Sequence, residues 1–177
     1  GVEESMDISA DLQELARNTM AVVCSGVKSV LDIARTTEYL ETVGVPIVGY
    51  RTDVLPAFYA RGSEQSVDYR MNGAADVAAA LVAKLHTNID GAILVTNPVP
   101  EEHAFDSDQI NLIIEQAITV MNQRGISGKE TTPFLLARIA EETEGKSLTT
   151  NIALVKNNAK LAAKIAVQYA RQVKKDH

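Results

Sequence analysis

Apolar positions along this chain follow two alternating rhythms. Compact apolar runs at Met20–Cys24, Val45–Tyr50 and Gly91–Thr96 predict buried β-strands, because both faces of each run are hydrophobic. Ser66–Met71 alternates polar and apolar, which predicts a short half-exposed strand. Between these runs the apolar spacing is three to four residues. Ile8, Leu12 and Leu15 predict a short helical or irregular segment over Asp7–Asn18, with Asp7 or Ser9 as its cap. Val27, Val30, Leu31, Ala34, Tyr39 and Leu40 predict a helix over Val27–Thr42 that stops at Gly44. Ala74–His86 reads as an alanine-rich helix that can pack closely on a sheet, preceded by a turn or cap at Asn72-Gly73. Ile110, Ile113, Ile114, Ala117, Ile118 and Met121 predict a helix over Asp106–Arg124, stopped by Gly125. Thr132 as cap and Pro133 at the first helical position open another, which ends at Gly145. A long helix over Leu148–Lys175 closes the chain, with Leu154, Leu161, Ile165 and Tyr169 on its apolar side.

Strands alternating with helices define an α/β fold. The expected architecture is α/β/α layered: a mostly parallel or mixed sheet flanked by helices, in a single domain over residues 1–177. The stretch Arg51–Ser66, with Pro56, Gly62, Phe58 and Tyr59, reads as a polar loop carrying an aromatic plug or a substrate cover.

Composition narrows the function classes. With 177 residues, 46% hydrophobic and 23% charged, the chain is ordinary for a globular domain with a real core. The formal net charge of -6 argues against a nucleic-acid surface. The single cysteine, Cys24, excludes an internal disulfide and a cysteine-rich metal site, and a reducing, cytoplasmic compartment is the simplest expectation. No apolar run approaches the roughly 20 residues of a membrane-spanning helix, and no signal peptide is visible.

Lys28 is the sharpest chemical candidate. It follows the first strand by a Ser25-Gly26 turn, which puts it at the carboxyl edge of the sheet, where open α/β folds bind ligands. A helix start depresses a lysine pKa, and an unprotonated amine is what imine chemistry requires. The alternative is a solvated lysine paired with Asp32. Asp7 and Asp11, spaced i, i+4, either hold a hard cation such as Mg²⁺ or Mn²⁺ together with waters, or cap a helix. Glu101, Glu102 and His103 follow another strand end, and either do acid–base work or are solvated charges. Asn151, Asn157 and Asn158 flank the start of the last helix, either as caps or as amides aimed at a sugar hydroxyl. There is no dinucleotide fingerprint, phosphate loop or HExxH motif.

Long blocks carry a family resemblance. Met6-Asp7-Ile8-Ser9-Ala10-Asp11-Leu12, Val23-Cys24-Ser25-Gly26-Val27-Lys28-Ser29, Asn97-Pro98-Val99-Pro100-Glu101, Gly128-Lys129-Glu130-Thr131-Thr132-Pro133-Phe134 and Asn151-Ile152-Ala153-Leu154-Val155-Lys156-Asn157-Asn158 are similar to the pseudouridine-5′-phosphate glycosidases, the indigoidine synthase A family. The resemblance implies reversible cleavage of the C–C glycosidic bond of pseudouridine 5′-phosphate to uracil and ribose 5-phosphate. It implies Lys28 as a nucleophile forming an imine with ring-opened ribose. It further implies a divalent metal, commonly Mn²⁺, at Asp7, and substrate contacts from Ser9, Ala10, Asp11 and Asn151. A C–C bond offers no leaving-group oxygen to protonate, so two-carboxylate hydrolysis does not serve and an iminium electron sink does.

The resemblance covers only the C-terminal half of family members. The other half holds the family's glutamate proton donor and basic substrate-binding residues. The expectation is therefore a fragment, split or nicked chain that is inactive until joined by its N-terminal half, and that assembles as a homo-oligomer, a trimer in the family. A non-catalytic fragment that binds a sugar phosphate or serves assembly is the alternative.

Overall fold

A computed structural model describes residues 10–27 and 33–174. Four strands, all in parallel pairs, form one sheet among the described residues: β1 (Ala21–Cys24), β2 (Ile47–Tyr50), β3 (Tyr69–Met71) and β4 (Ile93–Thr96), in the spatial order β1-β4-β2-β3. The helices are α1 (Ala10–Arg17), α2 (Ile33–Thr42), α3 (Ala74–His86), α4 (Ser107–Gln123), α5 (Thr131–Glu142) and α6 (Lys146–Val173). This confirms the α/β class, and the sheet is wholly parallel over these strands.

Strand alternation sorts the side chains onto two faces. Val22, Cys24, Leu94 and Ile47 pack with Leu12 and Leu15 of α1 and Leu40 of α2. Ala21, Val23, Ile93, Val95 and Val48 pack on the other side with Val77 and Leu81 of α3 and Leu161 and Ile165 of α6. The sheet is thus buried between two helical layers. Each fully buried aliphatic side chain contributes about 1.5–3 kcal/mol, which makes these two clusters the main source of stability.

Burial follows position in the sheet. β2 and β4 are central, and Ile93–Thr96 is buried throughout. The apolar run at β1 predicts a buried strand, but β1 lies at an edge and each of its residues is partly exposed. β3 is the other edge; it covers only Tyr69–Met71 of the expected Ser66–Met71 and is more than half-exposed, with Tyr69 and Arg70 both exposed.

Helix ends explain most boundary differences. Gly73 is the N-cap of α3, and its amide donates to the Asp76 carboxylate at 2.9 Å. Asp106 caps α4 by accepting from the amides of Asp108 and Gln109. Val27 is not helical, so the second predicted helix starts later than expected; its described part is Ile33–Thr42. Thr132 is not a cap: α5 begins at Thr131, and Pro133 still lies in the first turn, where a missing amide proton costs nothing. α6 begins at Lys146, two residues before the expected start, because Gly145 (φ 79°) both closes the connection from α5 and serves as the N-cap of α6.

The loop between β2 and β3 departs most from expectation. Leu55, Pro56, Ala57, Tyr59 and Ala60 are buried, so this is no polar surface loop. Ala57, Tyr59 and Ala60 form a cluster with Ile110, Ile114 and Ala117 of α4 and Leu135 and Ile139 of α5. The loop follows β2 and α4 follows β4, so this second core sits beyond the carboxyl edge of the sheet.

Candidate functional site

The carboxyl ends of β1 and β4 are neighbours, with Cys24 opposite Thr96. The next residues stay joined: the Asn97 amide donates to the Cys24 carbonyl at 2.8 Å. Ser25 and Asn97 are polar yet almost fully buried, at 3% and 5% exposure. A buried polar side chain costs stability unless it is hydrogen-bonded. Both are bonded to one residue of α6. Asn97 Nδ2 donates to Asn158 Oδ1 at 3.1 Å, and Asn158 Nδ2 donates to Ser25 Oγ at 2.9 Å. Asn157 adds a bond from its Nδ2 to the Pro98 carbonyl at 3.2 Å.

The Ser25-Gly26 turn is also held from the other side. The Ser25 carbonyl accepts from the Phe58 amide at 3.1 Å, and Gly26 bridges Ala57. Gly26 has φ 85°, and a Cβ there would lie 1.7 Å from the Pro56 carbonyl oxygen. Only glycine permits both that conformation and that approach.

The first turns of α6 lie against the loop after β4. Thr150 Oγ1 donates to the His103 carbonyl at 2.8 Å, and Arg61 Nη1 donates to the Val99 carbonyl at 2.6 Å. Asn151 and Asn158 are seven residues apart, two helical turns or about 10 Å along one face. Far from flanking the helix start, Asn157 and Asn158 are mid-helix and bind the strand-end loops.

Of the sequence-predicted residues, Asp7, Ser9 and Lys28 lie outside the described residues. Asn151 is half-buried on α6, beside the loop after β4. Ala10 is the first residue of α1, and Asp11 stands exposed in its first turn. The far end of α1 is fixed at the amino edge of the sheet, where the Ala92 amide donates to the Leu15 carbonyl at 2.7 Å. Leu12 and Leu15 pack, like Val22 and Cys24 of β1, against the cluster of Leu40, Ile47 and Leu94. The structure thus brings α6, which carries Asn151, and the Ser25-Gly26 turn together at the carboxyl edge. Asn97, Asn158 and Ser25 do not stand out together in the sequence; the crowding of three asparagines is their one visible signal.

Burial pushes the Cys24 thiol up from 9.0 to about 11, partly offset by a hydrogen bond from the Gly26 backbone. At neutral pH it is a thiol, which makes it a poor nucleophile. Burial likewise raises Tyr59, against a hydrogen bond with Ser147.

A cleft of about 550 Å³ opens between the 57–65 loop and α4. Glu64, Asp108 and Glu115 line it over an apolar floor. Three carboxylates repel a phosphate ester, so this cleft does not suit an anionic sugar.

The residues that would hold a divalent metal have suitable chemistry. Mg²⁺ and Mn²⁺ take oxygen ligands, and one or two carboxylates plus waters suffice. Among the described residues there is no group of three or more His, Cys, Asp or Glu side chains that could hold a metal ion, and Asp7 lies outside them.

The sequence pattern described as indigoidine synthase A like protein matches residues 1–168. The chain belongs to the indigoidine synthase A-like family. Within that family, the pseudouridine-5′-phosphate glycosidase of Caldanaerobacter subterraneus subsp. tengcongensis is 55% identical over 168 residues, covering 95% of this chain and 55% of that protein. The Escherichia coli protein of the same name is 52% identical over 171 residues, covering 97% of this chain and 55% of that protein. Among solved structures, the prealnumycin C-glycosynthase AlnA in complex with ribulose 5-phosphate superposes with a TM-score of 0.88 at 35% identity, over 98% of this chain and 57% of that one. An indigoidine synthase A-like protein of Thermotoga maritima gives 0.82 at 37% identity, over 92% and 53%. The chain spans about half the length of the curated relatives it matches. Among the described residues, no helix of this family member is long and apolar enough to cross a membrane.

Proposed function

We propose that the chain is the lysine-bearing half of a pseudouridine-5′-phosphate glycosidase. The observation that carries this is the 52–55% identity to named glycosidases over nearly the whole chain. The ribulose 5-phosphate held by a structural relative supports a sugar phosphate as ligand. The hydrogen bond that joins α6, the helix carrying Asn151, to the Ser25-Gly26 turn supports the same reading.

In the proposed reaction the Lys28 Nζ attacks C1′ of the ribose as the ring oxygen leaves and takes a proton. The C1′–C5 bond then breaks. Its electron pair goes to uracil C5, which is protonated, and C1′ becomes an imine with Nζ. Water hydrolyses the imine, freeing ribose 5-phosphate and regenerating the amine. Each step reverses for synthesis. Ser9, Ala10 and Asp11 contact the substrate, and Asn151 donates its amide to a sugar hydroxyl. Asp7 holds Mn²⁺, which supplies charge stabilisation when bound. The proton donor comes from the family's N-terminal half. The assembly is a cytoplasmic homotrimer.

The test is turnover. The intact protein with Mn²⁺, supplied with pseudouridine 5′-phosphate, should release uracil and ribose 5-phosphate in equal amounts. Sugar-phosphate binding without turnover, in the presence of both halves, would support the non-catalytic alternative instead.

A further inference from the structure

The hydrogen-bonded chain from Asn97 through Asn158 to Ser25 ties three distant segments together. Asn158 commits its amide oxygen to β4 and its amide nitrogen to β1. Asparagine is a poor helix former, and α6 gains nothing locally from one at mid-helix. Both of its partners are buried, so neither can turn to water instead. The Phe58 amide and the tight approach of Gly26 to Pro56 hold the same turn from the opposite side. Ser25 is thereby clamped between α6 and the loop after β2. Ser25 is three residues before Lys28.

We propose that Asn158 is a positioning residue for the Ser25-Gly26 turn that precedes Lys28 in the chain, through which α6, the helix that also carries Asn151, holds Ser25 in place. This rests on Lys28 being the imine-forming residue. A near-attack geometry tolerates little error, so loosening this clamp slows chemistry at Lys28 far more than it weakens ligand binding.

The experiment compares intact wild type, Asn158→Ala and Asn158→Asp. Borohydride trapping of ribose 5-phosphate gives the rate of imine formation against pH. Equilibrium dialysis of ribitol 5-phosphate, which has no aldehyde, gives non-covalent affinity. Asn158→Ala should slow trapping at least tenfold and change ribitol 5-phosphate affinity less than threefold. Asn158→Asp keeps the shape but places a carboxylate on the turn, and should move the pH midpoint of trapping upward by half a unit or more. Unchanged trapping in Asn158→Ala, or an equal fall in trapping and affinity, overturns the proposal. If the alanine variant does not fold, an unmoved midpoint in Asn158→Asp overturns it. A wild-type protein that forms no adduct overturns the lysine reading itself, and this proposal with it.

Discussion

The side-chain amide of Asn158, in the middle of α6, donates a 2.9 Å hydrogen bond to the hydroxyl of Ser25, 133 residues earlier at the end of β1. One polar contact thus joins the last helix to the first strand across the carboxyl edge of the sheet. Removing the hydroxyl leaves a half-buried amide without its partner. Ser25→Ala should lower unfolding free energy by about 1–3 kcal/mol in urea denaturation. The double variant with Asn158→Ala should lose less than the sum of the two single losses, because both remove the same bond.

Gly26 is the next residue and carries the sharpest steric constraint in the turn. Its φ is 85°, and a Cβ at this position would come within 1.7 Å of the Pro56 oxygen, so the backbone must move if any side chain is added. Gly26→Ala should cost about 2–5 kcal/mol, combining left-handed strain with overpacking. Gly44→Ala, where φ is 71° but nothing lies within 4 Å, isolates the strain alone and should cost less. Thermal or urea unfolding of both variants checks the difference.

Cys24 gives the fold a pH dependence at the alkaline end. The unfolded thiol ionises near 9.0, while the folded thiol stays protonated to about 11. Between those values the folded state holds more protons, so stability falls as pH rises; below pH 9 the contribution is fully present. The loss should reach about 2 kcal/mol by pH 11, kept below the full two-unit value because the residue is partly exposed. Cys24→Ala should flatten this part of the curve. Urea midpoints at pH 8 and pH 10.5 for both proteins measure it.

Asn151 should matter to binding without mattering to the fold. It is half-buried, and its neighbour Thr150 carries the structural bond to the His103 carbonyl. Asn151→Ala should weaken sugar-phosphate affinity by about tenfold, the loss expected for one hydrogen bond of roughly 1.5 kcal/mol, and leave the melting temperature within a few degrees. Thr150→Val should do the reverse. Calorimetric titration and thermal melts separate the two.

Three of the four strands are legible in the sequence because their runs are short and apolar on both faces, as at Ile93–Thr96. The edge position of β1 is not, since Ala21–Cys24 is as apolar as a central strand and strand order depends on crossovers that periodicity does not encode. While its cap at Asp106 is seen only in the structure, the helix at Ser107–Gln123 is legible from its isoleucine spacing. The buried loop at 55–60 is not, because Pro56, Gly62 and the polar residues around them look like a surface connection until α4 and α5 are placed over it. At the site, Lys28 is visible as a lysine after a strand and a tight turn. The role of Asn158 is hidden, because its partners Ser25 and Asn97 are far away in the chain and meet only at the sheet edge.

In the proposed reaction Lys28 is the residue that forms an imine with the sugar. The most direct measurement is peptide mapping of the intact protein after ribose 5-phosphate and borohydride treatment. A single reduced adduct on the peptide containing Lys28, absent from Lys28→Ala, is the expected result. An adduct on another lysine, or one that persists in Lys28→Ala, would rule out Lys28 as the imine-forming residue.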